Sequence, residues 1–485
     1  MDKAVYDKYC AVIGLEVHAQ LSTQSKIFSA DPNGYGGVPN SQAGVITLAH
    51  PGTLPKLNKA VIAQAIKMGL ACHCDISRFQ VFDRKNYFYP DLPKGYQITQ
   101  DRTPICKNGY ILIDTRAGEH KVRLNRIHLE EDAGKSIHVE GMPDTLVDYN
   151  RAGVPLIELV TEPVLENAEQ AGALLAEIRK LVRYLDICDG NMEEGSLRCD
   201  ANISVMLRGA SELGKKVEVK NMNSIRHVQR AIDYEIERQV LELEQGNIPV
   251  SETRTFNTST GTTTSMRTKE TLNDYRYFPD PDLSPLWISP EWLDEIKKLM
   301  PALPSALAHK YVTEFGLSKS DAQVLTESRE VAAYFEQVCT LVKNYKTAAN
   351  WVMGNVKSYL NETGKGMDGF PISAPRLAAL IRLVEDGVVS HTAASQSLFP
   401  VLLNDPEKPS LTLARELNLI KESDEDLIMP LVEAVLREFP TKVKEYKNGK
   451  KGIISLFMGE VMKKSKGKAD PKMASQLLER KLMEI

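Results

Sequence analysis

From Val12 to Leu21 the chain alternates strictly, with Ile13, Leu15, Val17, Ala19 and Leu21 on one side and Gly14, Glu16, His18 and Gln20 on the other. A period of two commits the segment to an extended strand with one buried face, because successive side chains leave opposite sides of a sheet. Glu16 and His18 then stand on one face, within reach of a single cation. For one strand by itself, a polar side turned to water is the simpler account. Further segments repeat the pattern, however. Arg198, Asp200, Asn202 and Ser204 alternate with Leu197, Cys199, Ala201, Ile203 and Val205, and Glu218 and Lys220 alternate with Val217 and Val219.

At 485 residues the chain is too long for one ordinary core, so two to four domains are expected. Its 42% hydrophobic and 26% charged residues suit a globular protein. No apolar run approaches the ~18 residues of a membrane span, and the first residues lack a signal-peptide core, so a cytoplasmic protein without membrane contact is expected. Seven scattered cysteines argue against a disulfide framework, and Cys72-His73-Cys74 lacks the second ligand pair of a zinc site. Charge is unevenly spread. Thr441–Ile485 holds eleven Lys and one Arg against five acids, a net of +7, which leaves −11 for the first 440 residues of a chain whose total is −4. A basic tail on an acidic body fits a polyanionic partner, and it equally fits a solvated lysine-rich helix face.

Up to about residue 290 the pattern is mixed. Strands are expected at Val12–Leu21, Tyr110–Asp114, Arg126–Glu131, Pro155–Val160, Arg198–Met206 and Lys216–Lys220, with helices from about Asn167 to Leu185 and from Asn223-Ser224 to Gly246. The Thr-rich run Thr253–Thr268 reads as a hairpin turning near Gly261. One-sided strands joined by hairpins predict an α+β fold, an antiparallel sheet with helices on one face. After Pro281 and Asp282 the character becomes helical. The expected division is 1–290, 291–405 (all-α) and 406–485, a small helical tail rich in lysine.

Glu158 stands out, because Val154-Pro155-Leu156-Ile157-Glu158-Leu159-Val160 is apolar on both sides of it. A carboxylate buried in such a run is costly unless paired or metal-bound. His128-Leu129-Glu130-Glu131-Asp132 puts three acids in a row, where Glu130 shares a face with His128 and Glu131 continues the apolar phase. Adjacent carboxylates repel unless a cation sits among them. Oxygen-rich ligation favours Mg²⁺ or Mn²⁺, and the histidine leaves Zn²⁺ open. Basic and aromatic residues cluster in Asp83–Pro90 and Asp274–Pro279; cations beside a metal suit a nucleoside triphosphate, while the aromatics, which could stack on a base or ribose, more commonly pack, and packing is the expectation for Tyr87 and Phe88. Gly134-Lys135-Ser136 is not a phosphate loop, since Leu129 replaces the required glycine and three acids fill the loop. No Gly/Ser-rich loop or Gly-x-Ser-x-Gly elbow offers a serine nucleophile. Any nucleophile therefore comes from elsewhere.

Gly14–His18, Asp83–Pro90, His128–Ser136, Tyr149–Gly153, Met192–Asn202 and Asp274–Pro279, in this order, resemble the motifs of the family of aspartyl/glutamyl-tRNA(Asn/Gln) amidotransferase B subunits, over nearly the whole chain. The absence of a synthetase-like insertion after Asp282 resembles the bacterial and organellar form. The resemblance implies a glutamine-synthetase-like cradle domain, a helical domain and a tail that hold tRNA. It implies a carbon–nitrogen ligase with glutamine as nitrogen donor, using ATP and Mg²⁺ to phosphorylate the side-chain carboxylate of Glu-tRNA(Gln) or Asp-tRNA(Asn). Ammonia released by a partner amidase subunit (A), tied in by a small subunit (C), then displaces the phosphate.

The residues themselves make Glu16, His18, Glu131 and Glu158 the expected metal-binding set, with Glu130 and Asp132 read as solvent-exposed at a turn; by the resemblance His18, Glu131 and Glu158 are metal ligands, with Glu16 near the metal. Glu130 or Glu194 is expected to hold ammonium or take its proton, and Lys85, Arg198 and Arg276 to contact phosphate. Two other readings remain from the residues alone: a free-standing amine ligase of a small acid, against which the basic tail speaks, and a non-catalytic tRNA-binding scaffold, against which Glu158 and the acidic cluster speak.

Overall fold

The computed structural model describes residues 3–139, 141–268, 274–420, 425–465 and 469–484. It forms two compact units, Met1–Leu303 and Pro304–Ile485. In the first, the elements that carry the argument are strands β1 (Tyr9–Gln20), β2 (Asp83–Asn86), β3 (Tyr96–Thr99), β4 (Gly118–Glu131), β5 (Pro155–Thr161), β6 (Leu197–Leu207), β7 (Val217–Met222), β8 (Glu252–Asn257), β9 (Thr262–Thr268) and β10 (Phe278–Pro279), with helices α1 (Ala168–Tyr184), α2 (Ile225–Glu244) and α3 (Pro290–Lys298).

The main sheet has ten strands, in the order β9-β8-β7-β6-β1-β5-β4, continued by Cys106–Lys107 and Asp75–Ile76, with Tyr110–Thr115 also paired to β4. Pairing is antiparallel except between β7 and β8. The expectation of a purely antiparallel sheet is corrected there. Helix α2 connects those two strands, and a helical crossover returns the chain in the same direction. A second sheet, β10-β2-β3, stands apart.

Both long helices begin where their caps place them: Asn167 accepts from Gln170 N and Ser224 from His227 N, so a side-chain oxygen satisfies a first-turn amide. They bury Leu174, Leu175, Ile178, Val228 and Ile232 against Leu15, Val17, Leu129, Ile157, Leu159, Ala201 and Val219, the apolar faces of the strands. The hairpin β8–β9 turns at Gly261, whose φ of +72° suits glycine. Glu235 of α2 fastens it from below: buried, it accepts from Thr263 Oγ1 (2.9 Å) and Arg238 Nε (2.9 Å) and lies 3.5 Å from Arg254 Nε.

Neither boundary expected from sequence divides the two compact units. Helix α3 falls in the expected helical part, yet Leu293 and Ile296 are buried in the sheet's core, so the first unit extends to Leu303. The second unit, Pro304–Ile485, spans the joint expected at 406. Leu413 and Ala414 are buried in a helix, Ser410–Glu416, that packs on helix Ala374–Glu385, and Val389 bridges to Ile420. The tail's own core runs from Ile428 to Leu482. Apolar side chains, not the Asp405-Pro406 punctuation, set where that core begins. All seven cysteines are free. Among the described residues no helix is long and apolar enough to cross a membrane.

Leu21–Asn58 carries no regular strand or helix, yet it is pinned by Asn33 Nδ2 on Leu21 O (2.8 Å), Asp148 accepting from Asn40 N (2.9 Å) and Asn150 Nδ2 on Val38 O (2.7 Å). Within it Lys26 is wholly buried, its ammonium 3.5 Å from Tyr149 O. Burial lowers its pKa to about 8, against the pull of Asp31 and Glu131. Between pH 8 and the free-lysine value the unfolded chain then binds more protons than the folded one, so stability rises with pH in that window. Lys26→Met is expected to unfold later than the parent at pH 7, by an amount of order 2–3 kcal/mol, with the gap closing by pH 10 in calorimetric melts.

Candidate functional site

The strand registers assemble one polar face. His18 stands opposite Glu158 on one side and Arg198 on the other, Glu158 opposite His128, Leu156 opposite Glu130, Glu16 opposite Asp200, and Asn202 opposite Glu218. Side chains two residues apart on neighbouring strands thus converge from positions more than a hundred residues apart in sequence.

At its centre His18 Nε2 lies 3.2 Å from Glu158 Oε2 and 3.7 Å from Glu130 Oε1, while His128 Nε2 lies 3.5 Å from Glu158 Oε2 and 3.9 Å from Glu130 Oε2. Burial opposes the His18 imidazolium, but Glu158 and Glu130 outweigh it and raise the pKa to about 9. Burial pushes His128 down to about 4. Glu130 rises to about 7 through burial and the charge of Glu158, whereas Glu158 is held below the usual carboxylate range, against burial, by His128 and His18. Two buried carboxylates this close do not both stay charged unless a cation joins them.

Each of His18, Glu130 and Glu158 offers a ligand atom within 4.8 Å of the others, and His128 Nδ1 is buried with no hydrogen-bond partner. One imidazole and two carboxylates offer the donor chemistry of a small divalent ion. A neighbouring group of Glu16, Asp200 and Glu218 is also close-knit, but Lys220 pairs with both Asp200 and Glu218, and Asn202 Nδ2 donates to Glu16 (2.8 Å).

The face opens into a cavity of about 600 Å³, lined by His18, Glu130, Asp132, Leu156, Met192 and Asp200, by the aromatic Tyr87, and by the cations Lys85, Arg151, Arg198 and Lys220. Asp132, buried at the end of β4, organises two of them: its Oδ2 accepts from Arg198 Nη2 (2.7 Å) and Gln20 Nε2 (2.9 Å) and lies 3.7 Å from Arg151 Nε. Lys85 stays charged despite burial because Glu130, Tyr277 and Glu158 face it.

Of the residues expected from sequence, His18, Glu130, Lys85 and Arg198 line this cavity, and Glu158 clusters with His18 and Glu130 beside it. Glu131 does not join the donor set. One residue from Glu130 on an extended strand, it leaves the opposite face, where it pairs with Lys94 and accepts from Ile98 N (2.9 Å) beside a small void between Phe28, Thr47 and Gly153. Glu16 shares the polar face but belongs to the group neutralised by Lys220. Glu194 lies exposed on the turn before β6, and Arg276, with its side chain 82% exposed, pairs loosely with Asp274 at 3.9 Å. Neither lines the cavity. Sequence reasoning misses Glu130 in the donor set, His128, Asp132, Arg151 and Lys220. The period-two phase from Glu158 and His18 is the signal that reaches the first two.

Residues 11–294 match the family model described as the GatB/GatE catalytic domain, and residues 333–482 match the GatB domain. The chain belongs to the GatB/GatE family. Curated relatives named as the B subunit of aspartyl/glutamyl-tRNA(Asn/Gln) amidotransferase are similar to it end to end. That of Caldanaerobacter subterraneus subsp. tengcongensis is 46% identical over 475 residues, covering 98% of this chain and 99% of the relative. That of Geotalea uraniireducens is 47% identical over 478 residues, with the same coverage. The catalytic-domain match embraces every strand of the polar face, so the GatB/GatE catalytic domain is the part that builds this cavity.

Proposed function

We propose that this chain is the amidating subunit of a tRNA-dependent amidotransferase. It uses ATP to phosphorylate the side-chain carboxylate of Glu-tRNA(Gln) or Asp-tRNA(Asn) and then lets ammonia, supplied by a partner amidase subunit tied in by a small third subunit, replace the phosphate. The reading is carried by one observation: a single cavity is lined by His18, Glu130 and four cationic side chains, with Glu158 offering a third donor atom close to the first two. A carboxylate is a poor electrophile, and phosphorylation supplies the leaving group it lacks.

His18, Glu130 and Glu158 would hold Mg²⁺, which when bound neutralises phosphate oxygens during transfer. Lys85 and Arg198 reach into the cavity to grip the triphosphate, and Asp132 fixes the direction of Arg198 so that little reorientation is needed as charge develops. Of the two acids considered for handling ammonium, only Glu130 faces the cavity. The lysine-rich tail meets the tRNA.

The test is reconstitution. The chain with its amidase and small partners, given ATP, ammonium chloride and misacylated tRNA, is expected to convert glutamyl- or aspartyl-tRNA to its amide with release of ADP and phosphate. Amide formation that proceeds at the same rate without ATP, or none with either tRNA, overturns the reading.

A further inference from the structure

The loop that follows the cavity-lining Tyr87 has no part in that reaction. The loop Tyr87–Gly95 joins β2 to β3 and folds back on itself, with Tyr87 N donating to Gly95 O (3.3 Å), Leu92 N to Tyr89 O (3.0 Å) and Gly95 N to Leu92 O (3.0 Å). Tyr87 points inward, lining the cavity and donating to Gln97 Oε1 (3.2 Å). Phe88, the next residue, is 88% exposed, yet its ring is not loose. A Cβ placed on Gly95, whose φ is +72°, would stand only 3.1 Å from Phe88 Cε1 and 3.3 Å from Cδ1. The ring therefore rests on the bare backbone of Gly95, and the side away from it is open to solvent.

Other rings run from Tyr89, the next residue in the loop, through the cavity-lining Tyr87. Tyr89 meets Tyr87 edge-on at 6.0 Å, Tyr87 meets Tyr275 at 6.1 Å, Tyr275 meets Tyr277 at 5.9 Å, and Lys85 lies over the Tyr275 ring at 5.0 Å. An exposed phenyl backed on one side offers a surface on which an unpaired nucleobase can stack, since every base has a π face.

We infer that Phe88 stacks the 3′-terminal base of the substrate tRNA. The inference rests on the reading above, in which the reacting carboxylate is esterified to the terminal ribose. Only that ribose and one amino-acid residue separate the terminal base from a carboxylate seated at His18 and Glu158, so the base belongs at the rim. The base of ATP is left to the apolar wall inside, where Leu156, Met192 and Met222 line the cavity.

The experiment uses the full chain in complex with its partners. In Phe88→Ala the KM for aminoacyl-tRNA rises about tenfold while the KM for ATP and kcat hold, and Phe88→Trp restores the parent KM. In a turnover-free titration, tRNA carrying 2-aminopurine as its terminal base is quenched by the parent complex and not by Phe88→Ala. An unchanged KM for tRNA, or quenching that survives Phe88→Ala, overturns the inference. A rise confined to the KM for ATP overturns it in favour of the ATP base. If the parent complex forms no amide at all, the functional reading fails instead, and the fluorescence titration still decides on the platform.

Discussion

Replacing Glu158 by glutamine is expected to lower kcat for ATP-dependent amidation by about two to three orders of magnitude, the cost of losing one group that stabilises developing charge in a closed site. The substitution keeps volume and a hydrogen-bond acceptor for His18, which sits 3.2 Å away, but removes the charge that faces both imidazoles. Binding of Mn²⁺, followed by electron paramagnetic resonance, should weaken in parallel, because Glu158 supplies one of three clustered donors. Glu131→Gln is the matched contrast. It removes the partner of Lys94 on the other face of β4 and should leave Mn²⁺ affinity where it was. Equal loss of Mn²⁺ binding in both variants would mean that Glu131, not Glu130, completes the set.

That contrast also shows how far sequence reaches. Strict alternation around His18, Asp200 and Glu218 tells which residues share a face, and the strands, both capped helices and the Thr-rich hairpin follow from local pattern. Phase along His128–Glu131 puts Glu130 with His128, so the donor set is legible within one strand. The reading of the residues and the family likeness both point to Glu131, which on this strand leaves the face opposite to that of Glu130. What local pattern does not carry is non-local. Asp132 matters because it receives Arg198 and Gln20 from two other strands, and Lys220 because a break in register between β6 and β7 brings it to Asp200. Arg276 and Glu194 lie outside the cavity lining: Glu194 sits in a turn and Arg276 in an irregular segment, where no alternation fixes the direction of a side chain.

Removing everything after Ile420 is expected to weaken tRNA binding about a hundredfold at moderate salt while leaving the cavity's chemistry in place. The cut is chosen from packing. Leu413 and Ala414 complete the preceding helical layer, so a cut at 406 would expose it, whereas Ile428, Val432, Phe457 and Leu478 form a core of their own. Within that tail Arg437, Lys444, Lys447 and Lys481 line one groove of about 550 Å³ with Leu436, Pro440 and Val443. Glu433 ties Lys481 at 3.3 Å and, more loosely, Arg437 at 3.7 Å, and with Lys444 and Lys447 these cations line the groove that a phosphate backbone would meet. Neutralising Arg437, Lys444 and Lys447 to glutamine should lower the slope of log K against log salt by about one for each phosphate no longer neutralised, with the same effect for any tRNA sequence. A truncated chain that binds tRNA with the parent affinity and salt slope would assign the tail's positive charge to solvation alone.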